Sequence, residues 1–179
     1  MSRVGNKIIN IDSKVEVTLS GQKVYMKGPK GELTCEVDSS IQVFFEENKL
    51  YLRRKSDKKD VKAKHGLYRS LLANNYQGVF HGFEKSLYLT GIGYRVNLKG
   101  KNLEFTLGYS HPVVFNAIEG VEFSVEGQDK FTVRGINAEL VGEVCAKIKR
   151  LRKKDPYKGK GIHFVGDRIV KKVGKKIKK

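Results

Sequence analysis

One pattern occurs twice in this chain, and that repetition limits its fold more than any single motif. Short runs of alternating apolar and polar residues lead into one helical stretch, and the same order then starts again. In the first half, Val15-Glu16-Val17-Thr18-Leu19 alternates with period two, Ser20-Gly21-Gln22 turns, and Lys23-Val24-Tyr25-Met26 resumes the pattern. Gly28-Pro29-Lys30-Gly31 breaks it as a tight connection, and Leu33-Thr34-Cys35-Glu36-Val37 takes it up again. Ile41–Phe45 and Leu50–Leu52 flank Glu46-Glu47-Asn48-Lys49, which predicts a hairpin. Asp57 or Asp60 is placed to cap a helix running to about Tyr76, with Gly78 as its stop. Val61, Leu67, Leu71, Leu72 and Tyr76 cover one broad face of that helix.

The second half follows suit. Leu87–Leu89, Gly91–Val96, Leu103–Leu107, Val121–Val125 and Phe131–Val133 read as strands. Asn137 is an N-cap for a second helix to about Arg152, with Leu140, Val144, Ile148 and Leu151 on one face and Val141 and Cys145 beside them. Asn48-Lys49-Leu50-Tyr51-Leu52-Arg53 lines up with Asp129-Lys130-Phe131-Thr132-Val133-Arg134, and Lys27-Gly28 with Lys99-Gly100. Two copies of about 70–80 residues are too few for a solenoid. The expected class is therefore α+β. Two related domains arise by internal duplication, each a small antiparallel-rich sheet with one helix packed on a face. They span residues 1–82 and 83–152, and a basic C-terminal arm follows over 153–179.

Charge separates these regions. The 179 residues carry 36 Lys and Arg against 19 Asp and Glu, a formal net charge of +17. Residues 1–82 hold 15 basic and 9 acidic side chains, residues 83–149 hold 8 of each, and residues 150–179 hold 13 and 2. A terminal block this basic points to a polyanion, and nucleic acid, with its closely spaced phosphates, is the demanding one. No stretch approaches the roughly 18–20 apolar residues of a transmembrane helix. Ile169, Val170, Val173 and Ile177 offer one apolar face opposite lysines, a weaker basis for membrane-surface binding. No apolar signal run follows Met1–Lys7, and Cys35 and Cys145 lack metal-ligand spacing. The expectation is a cytoplasmic chain with two reduced thiols.

Enzyme signals are weak. His65, His81, His111 and His163 form no metal or catalytic cluster. Gly91-Ile92-Gly93 lacks the third glycine of a dinucleotide fingerprint, since position 96 is Val, and Gly28-Pro29-Lys30-Gly31 has no Walker ending. No cofactor, metal or small-molecule substrate is expected. The tail is richer. Lys153, Lys154, Lys158 and Lys160 can neutralise phosphates, and Gly159 and Gly161 would let the backbone approach a phosphate ladder. Tyr157 or His163 can stack on an exposed base. Arg168, Lys171, Lys172, Lys175 and Lys176 extend the arm. A second basic cluster, Arg53-Arg54-Lys55 with Lys58, Lys59, Lys62 and Lys64, surrounds the start of the first helix, where cations oppose the helix dipole. It reads equally as an RNA contact or as a solvated loop.

Pro156-Tyr157-Lys158-Gly159-Lys160-Gly161-Ile162 resembles the C-terminal signature of the bacterial large-subunit ribosomal protein six family. Ser2–Gly5, Val24–Leu33, His65–Leu72, Gly91–Arg95 and Leu107–Val113 resemble further segments of that family, in the same order from end to end. Asp155 and His163 depart from its usual residues. The resemblance implies a two-domain duplicated fold and a structural, non-enzymatic role in the large ribosomal subunit. It also implies binding to large-subunit ribosomal RNA near the sarcin–ricin loop, beside neighbouring ribosomal proteins and close to the landing region of elongation factors. The family's RNA contacts carry over first to Tyr157, Lys158, Gly159, Lys160 and Gly161, then to Arg168, Lys171, Lys172, Lys175 and Lys176. A free architectural binder of DNA or RNA is the alternative, separable by its lack of preference for ribosomal RNA.

Overall fold

The computed structural model describes residues 3–174. Two compact units emerge. One runs to Phe83 and takes in Ile136–Ala138; the other comprises Glu84–Gly135 and the described chain from Glu139 onward.

The first unit contains β1 (Ile9–Asn10), β2 (Glu16–Ser20), β3 (Lys23–Gly28), β4 (Gly31–Glu36), β5 (Ile41–Glu46), β6 (Lys49–Arg54) and α1 (Lys59–Phe80). β2, β3 and β4 form one antiparallel sheet, and β1-β6-β5 form another. α1 packs on strands of both. Alternation is the reason for the packing. Val24, Met26, Leu50 and Leu52 point one way and are buried with Leu72 and Val79 of the helix, while Tyr25 and Arg53 point the other way and are exposed. Burying each large apolar side chain contributes about 1.5–3 kcal/mol. Glu47 (φ 47°) and Asn48 (φ 62°) are both left-handed, as a two-residue hairpin turn between β5 and β6 requires.

α1 differs from expectation at both ends. Asp57 does not cap it, because its carboxylate is taken by Arg54 Nε at 2.7 Å, and Asp60 lies in the first turn. The helix also continues through buried Gly78 to Phe80. Gly82, at φ 78°, ends it, donating to the carbonyls of Gln77 and Gly78.

The second unit contains β7 (Phe83–Thr90), β8 (Arg95–Lys99), β9 (Asn102–Thr106), β10 (Val113–Phe115), β11 (Val121–Glu126), β12 (Lys130–Gly135), α2 (Ala138–Leu151) and β13 (Gly161–Phe164). β8, β9 and β10 form one antiparallel sheet, and the other has the order β11-β12-β7-β13. The buried face of α2 is Val141, Val144, Cys145 and Ile148, with Leu140 and Leu151 half-buried at its margins. Phe105 and Phe131 meet edge to face, 5.4 Å between centroids, inside this core.

The duplication appears element by element. Each unit has one strand, then three strands in a sheet, then a hairpin, then a helix. Lys49–Arg54 and Lys130–Gly135 are equivalent second strands of six-residue hairpins. The pairing of Lys27-Gly28 with Lys99-Gly100 is corrected by the topology. Lys99-Gly100 ends the first strand of its sheet, so its counterpart is Ser20-Gly21. Gly21 (φ 60°) and Gly100 (φ 64°) even share their backbone conformation. Gly91-Ile92-Gly93 is a turn rather than a strand start, with Tyr94 N donating to Gly91 O at 3.2 Å.

The expected boundary at 153 does not describe the C-terminus. Residues 161–164 form β13, paired antiparallel with β7 from Gly161↔Thr90 to Phe164↔Leu87. Ile162 and His163 are fully buried. The strand carries little local signal: it is only four residues long, holds a histidine that reads as polar, and lies between lysines and glycines.

Candidate nucleic-acid interface

The loop from Arg152 to Lys160 joins the end of α2 to β13, so both of its ends are anchored. Asp155 organises it. Its backbone N–H donates to Lys160 O (2.8 Å), and its carbonyl accepts from Gly159 N (2.9 Å). Its carboxylate accepts from Lys158 N (2.8 Å) and Tyr157 N (3.2 Å). These two backbone donors, Lys158 first, hold the Asp155 carboxyl below its usual range. Ile162 N closes the loop on Arg152 O at 3.2 Å, and Lys172 N returns to Pro156 O at 2.9 Å.

This geometry revises two expected roles. Gly159 and Gly161 do not lie open to a phosphate ladder; both are buried. Gly159 has φ 73°, and its carbonyl accepts from His163 Nε2 at 2.9 Å, which makes Nε2 the protonated nitrogen. A Cβ on Gly161 would come within 2.8 Å of Lys154 Cα and 2.9 Å of Lys153 O. Both glycines shape the loop. His163 cannot stack on a base, because it is enclosed against Tyr88, 5.2 Å between ring centroids.

What faces outward is cationic and aromatic. Lys153, Lys154 and Lys158 are exposed, Tyr157 is 56% exposed, and Lys160 is half-buried. Arg168, Lys171 and Lys172 are exposed on the segment after β13. Lys175 and Lys176 lie outside the described residues. Two contacts with α2 fasten that segment. Asp167 accepts from Lys149 Nζ at 3.1 Å, and the same ammonium lies 4.4 Å from the centre of the Phe164 ring. Lys149 thereby holds Asp167 below the usual carboxylate range.

Beside the loop is a cleft of about 440 Å³ whose walls include Tyr94, Tyr109, Arg150, Lys153 and Lys160. Arg152 Nε donates to Tyr94 Oη at 3.1 Å, its guanidinium sits 4.9 Å from the centre of the Tyr109 ring, and Tyr109 Oη donates to Leu151 O at 2.9 Å. The two phenols hold an always-charged guanidinium in one place at the cleft. Arg150 and Arg152 belong to the basic block 150–179, whereas Tyr94 and Tyr109 carry no charge signal. The tyrosines lie some sixty and forty residues upstream, inside the family-like segments Gly91–Arg95 and Leu107–Val113, each just after a glycine turn.

The first unit's basic cluster is partly neutralised. Arg54 pairs with Asp57, and Lys64 Nζ donates to Asp38 Oδ2 at 2.7 Å. Lys58, Lys59 and Lys62 are exposed around the start of α1. Cysteine chemistry is suppressed at Cys145, whose thiol burial pushes up to about 11. Among the described residues, no group of three or more His, Cys, Asp or Glu is placed to hold a metal ion, and no helix is long and apolar enough to cross a membrane.

Comparison with known proteins identifies the family. The family described as Ribosomal protein L6 matches residues 11–82 and 90–165, one match in each unit. The large ribosomal subunit protein uL6 of Maridesulfovibrio salexigens is 45% identical over 175 residues, which cover 98% of this chain and 98% of that protein.

Proposed function

From the premise that this chain belongs to the ribosomal protein L6 family, we propose that its second unit clamps large-subunit ribosomal RNA with the Arg152–Lys160 loop and the tyrosine–arginine cleft beside it. Membership makes the chain a structural, non-enzymatic component of the large ribosomal subunit. The finer reading concerns which residues touch RNA and where. Lys153, Lys154, Lys158 and Lys160 take phosphates, and Tyr157 stacks on an unpaired base or a ribose. Arg168, Lys171 and Lys172 extend the contact, and Lys175 and Lys176 continue it in sequence. Arg152 and Arg150 receive a phosphate in the cleft. The site on the RNA is the neighbourhood of the sarcin–ricin loop, where elongation factors land. The workplace is the cytoplasmic ribosome, alongside other large-subunit proteins.

The observation that carries this reading is the loop's internal bonding. Asp155 uses four hydrogen bonds to fold the chain back on itself, which leaves the lysine and tyrosine side chains facing outward. Cations held on a rigid frame lose less conformational entropy on binding than cations on a free tail.

Affinity of the full chain for large-subunit ribosomal RNA, measured against salt, tests it. Eight to ten phosphate contacts give a log–log slope of roughly −6 to −9. Lys158→Gln with Lys160→Gln should make the slope shallower by about 2 without changing the thermal midpoint. A flat salt response overturns the reading, and equal affinity for duplex DNA shows that the loop and cleft do not select ribosomal RNA. Sedimentation followed by a salt wash adds the cellular arm: the chain should stay with the large subunit.

A further inference from the structure

The hairpin of the first unit has an outer face that the core does not use. Phe44 and Tyr51 are register partners on β5 and β6, opposite in direction to buried Leu50 and Leu52. Their rings stack at 5.3 Å with 14° between planes. The Arg53 guanidinium lies 5.5 Å from the Phe44 ring centre and 5.6 Å from that of Tyr51. Arg53 also lines a cleft of about 480 Å³ with Lys55, Ser56, His65 and the Arg54–Asp57 ion pair, in which the one carboxylate of the lining is already paired. We propose that this face is a second RNA contact, seating a backbone phosphate of large-subunit ribosomal RNA between Arg53 and Lys55 with an unpaired base against the neighbouring rings. The inference rests on the reading of the chain as an RNA-bound ribosomal component.

Three observations carry it. First, Arg53 is held by the rings, while no carboxylate is paired with it or with Lys55 among the described ion pairs. Arg54, by contrast, is committed to Asp57. A planar guanidinium matches two phosphate oxygens at once, and the rings offer π-faces to a base. Second, His65, 1% exposed, lines the same cleft. Its Nε2 is 3.1 Å from Leu52 O and Gly5 packs against its Nδ1 side, so the ring is fixed as part of the cleft wall. Third, the equivalent register pair in the second unit is Ser124 and Thr132. Thr132 is buried, its hydroxyl 2.9 Å from that of Ser86. The aromatic platform is therefore particular to the first copy and is no requirement of the fold. Glu46 and Glu47 sit at the hairpin tip, where Tyr51 Oη donates to Glu46 at 3.1 Å. They turn a polyanion away from that end and toward the basic end of β6.

The test uses the full chain and large-subunit ribosomal RNA. Arg53→Gln with Lys55→Gln should weaken binding about tenfold at 0.15 M salt and make the log–log slope shallower by about 2. Arg53→Lys keeps the charge but loses the fork, so it should recover part of the affinity. Ultraviolet crosslinking of wild-type complexes should place a nucleotide adduct on the peptide containing Phe44 or Tyr51. Lys55→Gln alone alters an exposed side chain and should still cost about one unit of slope. Wild-type affinity and slope in these first-unit variants, with Lys158→Gln/Lys160→Gln weakened as expected, overturn the second contact and leave the second-unit reading standing. A flat salt response in the wild-type chain overturns both.

Discussion

The two copies share one plan but close their sheets differently. In the first unit the sheet ends at β1, an edge strand of two residues. In the second, the equivalent strand β7 is eight residues long, and the chain returns after α2 to cover it with β13. A long open edge is a liability, and a two-residue edge is short enough to be harmless. The covering strand also changes what the copy can do. It ties down the far end of the loop that begins at Arg152, so a basic segment becomes a fixed surface. The first copy has no such return among the described residues, and its charged side chains lie around a helix start and a hairpin instead.

The largest test of this contrast is deletion of residues 155–179. It removes β13 and exposes β7, so the second unit should lose its cooperative unfolding transition while the first keeps its own. Scanning calorimetry reads both; an unchanged second transition would show that β13 is an accessory. Next, Ile162→Ala should cost about 2–5 kcal/mol. Hydrogen exchange should speed up through β7, β12 and α2 while the first unit stays protected. Leu50→Ala is the mirror experiment, with a similar cost in the first unit only. Gly161→Ala should cost about 1–3 kcal/mol, because its φ of 138° and the nearby Lys153–Lys154 backbone leave no room for a methyl group. Failure to see a loss would mean the loop can shift, against the anchored picture.

The smallest expected effect is on pH dependence. Asp155 and Asp167 both have folded values below the ordinary 3.8, the first through backbone N–H donors and the second through Lys149. A depressed carboxylate contributes stability that is present above its unfolded value and lost as pH falls through its folded one. The protection of the Tyr157 and Lys158 amides, relative to their intrinsic exchange at the same pH, should therefore fall below about pH 4. Asp155→Asn should weaken that dependence, and an unaltered profile would remove Asp155 from its organising role.

Much of this protein was legible in its residues because the signals are local. Alternation at Val24 and Met26 or Phe131 and Val133, turn residues such as Gly21 and Asn48, and the apolar spacing of α2 each depend on neighbours a few positions away. The duplication and the family membership follow from such signals repeated in order. The α1 ends are not legible in the same way, because capping depends on which partner a side chain finds, and Asp57 finds Arg54. Of the site, the lysines and Tyr157 were readable as charge and aromatic content in the tail.

The sequence by itself determined the α+β class, the two copies and the basic terminus. Only the tertiary structure decided that Gly161–Phe164 is a core strand, that Gly159 and Gly161 lie inside the loop, and that Tyr94 and Tyr109 stand beside Arg152. The physical reason is distance along the chain. Local propensity records what a residue prefers within one turn or one strand, whereas Ile162 pairs with Leu89 and Arg152 meets Tyr94 across long separations. Such contacts are selected by the free energy of the whole packed unit, and four residues carry too little pattern of their own to announce them.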